Sequence, residues 1–597
     1  MRQFYARRAR RVLPAALLTL VITAIVYARI ATPVEQLQAL GGFRAAFAYV
    51  ANWYFVHQST DYFAPNVATS PVLHFWSLAV EEQFYLLWPL ALGGLWLATK
   101  RAGERQLRLL RVLVSAGALL SAVAALHLAS TNLERAYYGT DTRVYELLAG
   151  AVIALTPGLT RVRGATGRVT RVGVVLAMGG IVLLATSAIG MSPITRGVWT
   201  TLCTGALIVL LERAGGGLVR RGLAARPVAY LGRISYGVYL WHWPIVVFVL
   251  HDHDVAPLPL FAISAAVSTA LAAVSYAVVE QPVRTARTLD RLRGPVIATG
   301  LTASLLGAVV LAPALLEPKS TTVAASNVDG GSDSGLRLLD WRRALGDIPP
   351  LRSCLGKPLE QCTLVKGDGT RVLLIGDSNA RMWIPAFTAM AKREGWMFSV
   401  ATRPVCPWQR GLQYHLAAGY REQCRRYQND WYERMIPKLD PDVVVLAHQA
   451  YDDPGYPESF YGLDGRPVFH DSPRLESVLR DASAASLRAL ERPGRKIVIL
   501  EPTPLSSANP LSCLSRGGAQ SRCEYRANAA PTPLESFYRQ YAHTHPDVES
   551  VDADRMVCPR LPVCDPVVGE IIVKRDGSHL TATYARSLAG SLEPFLR

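Results

Sequence analysis

From residue 12 to residue 316 the chain is built of long apolar runs separated by short polar ones. Nine of these runs predict membrane-spanning helices: 12–31, 75–98, 112–129, 144–155, 172–189, 198–211, 234–250, 258–279 and 295–316. Two of them fall short of the ~20 residues that a bilayer needs. A tenth apolar stretch covers 41–56. Residues 321–335, TTVAASNVDGGSDSG, are small and polar with no apolar periodicity, the composition of a linker. Beyond them the period changes. Strands are expected at 372–375, 398–401, 443–447, 497–500 and 548–551, and the fully apolar 372–375 has the pattern of a strand buried on both faces. Helical spacing of apolar residues follows at 381–394, 423–436, 475–490, 534–543 and 581–594. That alternation predicts an α/β domain with a parallel sheet covered on both sides. The chain therefore divides into a multi-pass α-helical membrane domain (1–316), a linker (317–339) and an α/β domain (340–597).

Charge decides the orientation of the first region. A net charge of +17 could suggest nucleic acid, but the arginines sit in short loops between apolar runs, where positive charge marks the cytoplasmic side. If 41–56 does not span, the loops 1–11, 99–111, 158–171, 212–233 and 281–294 share one side and hold 23 Lys/Arg against three acids. The opposite loops, 32–74, 130–142, 191–197 and 251–257, then hold three Arg against six acids. If 41–56 spans, the basic loops split between the two faces. We therefore read 41–56 as an interfacial or re-entrant helix, with the N-terminus inside and the α/β domain outside the cytoplasmic membrane. No nucleic-acid partner is expected, and lipid is the expected surrounding of the first region. The first eleven residues hold five arginines ahead of a spanning-length run, which is not the pattern of a cleavable signal peptide.

Cysteine usage points the same way. Cys203 lies in a predicted span, and the other eight all fall in the α/β domain. Eight cysteines permit 105 pairings. Pairing between neighbours (354/362, 406/424, 513/523, 558/564) is the simplest of them. An even set implies an oxidising compartment. No Cys-x-x-Cys is present, the Cys/His spacings fit no usual zinc finger, and no metal is expected.

Chemistry concentrates in two short stretches. In Arg371–Met382, RVLLIGDSNARM, an apolar strand ends in Gly-Asp-Ser and a helix can begin. The glycine permits a sharp turn, and Ser378 then stands at a helix N-terminus, where free N–H groups can hold an oxyanion. Some two hundred residues on, Asp576 and His579 lie three apart, just before the last predicted helix. A carboxylate so placed can orient the imidazole toward a serine. Ser378, Asp576 and His579 are the candidate catalytic residues. In the membrane region Glu81 and Glu82 interrupt a span and His242 stands at the head of another, and charges inside a bilayer are rare and commonly functional. Arg143 and His242 are the candidate partners of the two glutamates.

From Asp340 to Arg597 the chain resembles the SGNH hydrolase family, with Gly376-Asp377-Ser378 as its first block and Asp576/His579 as its last. The resemblance implies a flavodoxin-like α/β fold. The family's Gly-x-Asn-Asp block is absent, and Leu446-Ala447-His448-Gln449 stands in its place, making Gln449 the candidate oxyanion side chain. Residues 1 to 316 resemble the acyltransferase-3 membrane family. The resemblance rests on FYARRARR at 4–11, HFWSLAVEEQFY at 74–85, Asp141-Thr142-Arg143, and the stretch from Ser235-Tyr236-Gly237 to Trp241-His242-Trp243-Pro244. Joined, the two halves resemble fused O-acyltransferases that acetylate bacterial cell-surface glycans. The resemblance implies an acyl-CoA donor (acetyl-CoA) at the cytoplasmic face near Arg7, Arg8, Arg10 and Arg11. It also implies passage of the acyl group through the membrane half and delivery by Ser378 to a sugar hydroxyl. The acceptor would be lipopolysaccharide O-antigen, peptidoglycan or exopolysaccharide. Against that family the chain is expected to lack two N-terminal spans, the first bearing a histidine, which would raise nine to eleven. The alternative expectation is an extracytoplasmic carbohydrate esterase with the same triad and an inactive, truncated membrane half.

Overall fold

The computed structural model describes the chain except residues 59–69, 130–131, 162–166, 187–188, 214–217, 252, 254, 319–320, 325–335, 351, 417, 456–457 and 507. The chain folds as two compact units, Met1–Ala31 with Glu35–Glu317 and Thr32–Val34 with Pro318–Arg597.

The first unit is helical. Among the described residues, five helices are long and apolar enough to cross a membrane: Arg2–Ile30, Gln106–Ala129, Pro193–Arg213, Pro257–Thr285 and Arg293–Leu316. The other four expected spans are helices too, but shorter or more polar. Phe75–Thr99 contains Glu81 and Glu82, and Arg226–Leu250 contains Arg226, Arg233 and His242. Thr140–Leu155 has 16 residues and Gly167–Leu184 has 18. Length and composition thus support five of the nine expected spans. The 41–56 stretch is not one helix. It is divided between Pro33–Phe47 and Ala51–His57, with Tyr49 between them at φ 55°. Gly41 lets the two pack closely, since a Cβ there would lie 2.3 Å from the Tyr54 hydroxyl.

The second unit is organised on a six-stranded sheet of β1 (Thr363–Val365), β2 (Arg371–Gly376), β3 (Met397–Thr402), β4 (Val443–Ala447), β5 (Lys496–Leu500) and β6 (Val548–Val551). Their order across the sheet is β6-β5-β4-β2-β3-β1. Strands β2 to β6 are parallel, and β1 is an antiparallel edge strand that the sequence reading missed. It is three residues long, too short to show a period. Strand β4 and the inner parts of β2 and β5 are apolar throughout because both faces are covered, whereas the edge strand β6, Val548-Glu549-Ser550-Val551, buries only its two valines. Leu373, Ile375, Val444, Leu446, Ile497 and Ile499 enter one core, and Val372, Leu374, Val443, Val445, Val498 and Leu500 enter the other. Counted in chain order, the five parallel strands run 2-1-3-4-5, the flavodoxin-like arrangement. Its switch point lies between β2 and β4, and ligand sites in such sheets lie beyond the strands' carboxyl ends there.

Of the expected linker, 319–320 and 325–335 lie outside the described residues. Thr321–Ala324 and Leu336–Leu339 on either side of 325–335 pair as antiparallel strands. The eight cysteines form Cys354–Cys362, Cys406–Cys424, Cys513–Cys523 and Cys558–Cys564.

Three carboxyls of this unit are pushed up to about 7, chiefly by burial: Glu458, Glu535 and Asp554. A neighbouring acid adds to the shift in each. A carboxyl raised in the folded state binds more protons there than in the unfolded chain. Its contribution is complete at a pH below the unfolded value of about 4 and fades as the pH rises to 7. Thermal unfolding of residues 340–597 should therefore come at a lower temperature at pH 7.5 than at pH 5. The scale is roughly 2–4 °C per kcal/mol lost in a domain of this size. An unfolding temperature that rises over the same interval would contradict the assignment.

Candidate active site

Ser378 owes its position to the glycine two residues before it. Gly376 ends β2 between Thr402 of β3 and Ala447 of β4. It has φ 147°, and a Cβ there would lie 1.9 Å from the Ala447 carbonyl oxygen. Only glycine fits that approach. Asp377 then caps the short helix Ser378–Met382, its Oδ1 accepting from the Asn379 N–H at 2.8 Å. Its Oδ2 accepts from the Gln449 N–H at 3.0 Å and the Tyr451 hydroxyl at 3.2 Å. One buried carboxylate thus joins the turn after β2 to the turn after β4, across the switch point. Burial pushes the Asp377 carboxyl up, and the two N–H donors act against it.

The other half of the site is a tight turn before the last helices. Asp576 Oδ1 accepts from the N–H groups of Ser578 at 3.0 Å and His579 at 2.8 Å. Lys574, fully buried, closes the turn from behind by donating from Nζ to the carbonyls of Pro504 at 2.5 Å and Ser578 at 3.2 Å. Burial lowers Lys574 to about 8. Thr581 caps the following helix Ala582–Ser587 by accepting from the Tyr584 N–H at 3.2 Å.

These two turns bring Ser378, His579 and Asp576 together. His579 Nδ1 lies 2.9 and 3.0 Å from the two Asp576 carboxylate oxygens, so the ring proton belongs on Nδ1. Nε2 is then left to accept from the Ser378 hydroxyl, 2.8 Å away. Burial opposes ionisation of Asp576, but the facing His579 and then Arg575 hold its carboxyl below the usual carboxylate range. The arrangement can take a proton from a serine and return it, as acyl transfer requires.

Gln449 is placed differently from the sequence expectation. Its side-chain amide donates to Glu458 Oε1 at 3.4 Å, and its backbone N–H serves Asp377. The helix N-terminus is also partly used, because Asp377 takes the Asn379 N–H. Sequence reasoning missed Asp377 and Lys574 as supports of the triad. The first carried a signal: an acid at a strand end before a helix is a natural cap.

In the helical unit the expected partners of the glutamates are corrected. Arg8 donates to Glu82 at 2.5 Å, lies 4.0 Å from Glu81, and stacks 3.5 Å over the Tyr85 ring. Arg143 instead pairs with Glu146 at 3.0 Å and lies over Trp76 and Tyr137. His242 packs against His74 and Tyr239, with its Nδ1 2.5 Å from the Tyr239 carbonyl. The basic cluster is corrected too. Arg10 is buried, donating to the carbonyls of Val283, Arg284 and Ala286 and pairing with Asp290. Arg8 and Arg10 therefore tie helices together, and Arg7 and Arg11 stay exposed.

Residues 1–277 match the family described as an acyltransferase domain, and residues 350–594 match an SGNH domain fused to AT3 domains. Curated relatives include O-acetyltransferase OatA of Staphylococcus aureus, 30% identical over 290 residues that cover 47% of each chain. Peptidoglycan O-acetyltransferase OatA of Listeria monocytogenes is 28% identical over 296 residues, covering 48% of this chain and 46% of its own. The match thus spans about half the length of these relatives. A solved periplasmic domain of the Salmonella ser. Paratyphi A lipopolysaccharide acetyltransferase is 18% identical with a TM-score of 0.32, covering 42% of this chain and 93% of that one.

Proposed function

The chain carries an acyltransferase-3 domain followed by a C-terminal SGNH domain, and we propose that it is an O-acyltransferase of a cell-surface glycan. The acyl group is acetyl, the donor is cytoplasmic acyl-CoA, and the acceptor is a sugar hydroxyl outside the cytoplasmic membrane. Relatives named for peptidoglycan O-acetylation favour peptidoglycan over lipopolysaccharide as the acceptor. The exposed Arg7 and Arg11 suit the phosphates of the donor. The Lys/Arg-rich loops 1–11, 99–111, 158–171, 212–233 and 281–294 favour a cytoplasmic location for that end. Four disulfides favour an oxidising compartment for the SGNH domain.

The observation that carries the reading is the Ser378–His579–Asp576 relay at the sheet's switch point, in one chain with an acyltransferase domain. In the first half-reaction Ser378 Oγ attacks the acyl carbonyl carbon while His579 Nε2 takes the hydroxyl proton. The bond from the acyl carbon to the group that hands it over from the membrane half breaks, and the leaving atom of that group receives the proton. In the second, a glycan hydroxyl gives its proton to His579 and attacks the acyl-serine. The ester bond to Ser378 Oγ breaks, and Oγ recovers the proton. Asp576 remains a carboxylate and holds the Nδ1 proton throughout.

Water competes for the acyl-serine, which separates a transferase from an esterase. With an activated acetyl ester as donor, added glycan oligosaccharide should divert acetyl from free acetate to an ester on the sugar. The diverted share should rise with oligosaccharide concentration. Release of free acetate alone at every concentration would replace the transferase reading with the esterase one.

A further inference from the structure

The charge of the triad's Asp576 acts on two guanidinium groups, Arg575 in contact with it and Arg381 without contact. Arg381 lies three residues beyond Ser378 in the helix Ser378–Met382, a spacing that puts both on one face. Its side chain is half-buried and makes no hydrogen bond or ion pair among the described residues. Arg575 precedes Asp576, with its Nε 3.3 Å from Asp576 Oδ2. That carboxylate is already engaged by His579 Nδ1 and by the N–H groups of Ser578 and His579. It has little left to offer a second cation. Burial, and next the charge of Arg575, lowers the Arg381 guanidinium, while Asp576 acts the other way. Arg381 is thus an unpaired cation one helical turn beyond the nucleophile, within reach of the charges of Arg575 and Asp576. A guanidinium is a planar fork of five donors that matches an oxyanion in two places at once. Left half-desolvated next to another cation it is unfavourable, and an arriving anion reverses the sign.

We propose that Arg381, supported by Arg575, receives an anionic substituent of the acceptor sugar, so that the glycan acylated through Ser378 is an acidic one. The substituent is an oxyanion, either a carboxylate or a phosphate. This rests on the transferase reading above, in which the sugar that meets Arg381 is the acyl acceptor. Arg381 is then a specificity residue: it touches the acceptor away from the reacting atoms.

The test uses the full chain in detergent, an activated acetyl ester, and three oligosaccharide acceptors that differ in one substituent. These carry a free carboxylate, its methyl ester, or a phosphate monoester. The wild type should favour an anionic acceptor over the methyl ester by about tenfold in kcat/KM, mostly through KM. The anion with the larger advantage identifies the source. Arg381→Gln should abolish that ratio, and Arg381→Lys, which keeps the charge without the fork, should restore part of it. The lysine form also serves should the glutamine form fail to fold. An equal loss on all three acceptors would place Arg381 on the reacting centre and overturn the proposal, as would an unchanged ratio. Transfer by the wild type with no preference overturns this inference alone. Transfer to no glycan at all overturns the transferase reading with it.

Discussion

Ser378→Ala should lower the hydrolysis of an activated acetyl ester by residues 340–597 at least about a thousandfold. Ser378 is the hydroxyl 2.8 Å from His579 Nε2, and removing it leaves the imidazole with no oxygen to activate at that distance. His579→Ala should lose about as much, and the double variant little more, because the two act as one unit. Asp576→Asn should lose roughly 10²- to 10⁴-fold, because an amide no longer fixes the Nδ1 proton. It also weakens the two N–H contacts that shape the turn. Steady-state rates with a chromogenic ester check all three. Ser378→Ala activity within about tenfold of wild type would remove Ser378 from the mechanism.

Gly376→Ala should unfold residues 340–597 at a temperature roughly 6–12 °C below wild type, from a loss of about 3 kcal/mol. The added methyl would stand 1.9 Å from the Ala447 carbonyl oxygen and 2.9 Å from the Ala380 Cβ. Backbone cannot yield as a flexible side chain can, so β2 and β4 must separate, at φ 147° where L side chains are already strained. The Asp377 contacts to Gln449 and Tyr451 span that same gap. Activity should therefore fall together with stability. An unfolding temperature within about 2 °C of wild type would contradict the packing account.

The α/β domain was legible because its signals are local. The inner parallel strands are covered on both faces, so 372–375, 443–447 and 497–500 appear as unbroken apolar runs. The expected strands at 443–447 and 548–551 match β4 and β6 residue for residue. The helix Leu475–Leu490 is likewise found whole, since its buried residues Leu475, Leu479, Ala482, Leu487 and Leu490 repeat at helical spacing. Expected 381–394 begins earlier and breaks at Trp383, just ahead of Pro385, where the chain restarts as Ile384–Glu394. Ser378, Asp576 and His579 were legible from the residues that flank them.

What stayed hidden depends on partners distant in sequence. Nothing near Glu82 points to Arg8, 74 residues away, and the cations sought nearer by, Arg143 and His242, have other neighbours. Arg10 reads as a free surface cation until the helix end at 283–286 folds against it. Gln449 sits where an oxyanion donor was expected, but the half-buried Glu458 takes its amide. The edge strand β1 needs β3 beside it before its three residues count as a strand.

The most direct test of acyl transfer through Ser378 is to trap the intermediate. Residues 340–597, turning over an activated acetyl ester and quenched in acid, should carry one acetyl group on the peptide that contains Ser378. A chase with glycan oligosaccharide before the quench should clear that label and yield an equal amount of acetylated sugar. Acetylated sugar formed while Ser378 never carries the label would contradict the account.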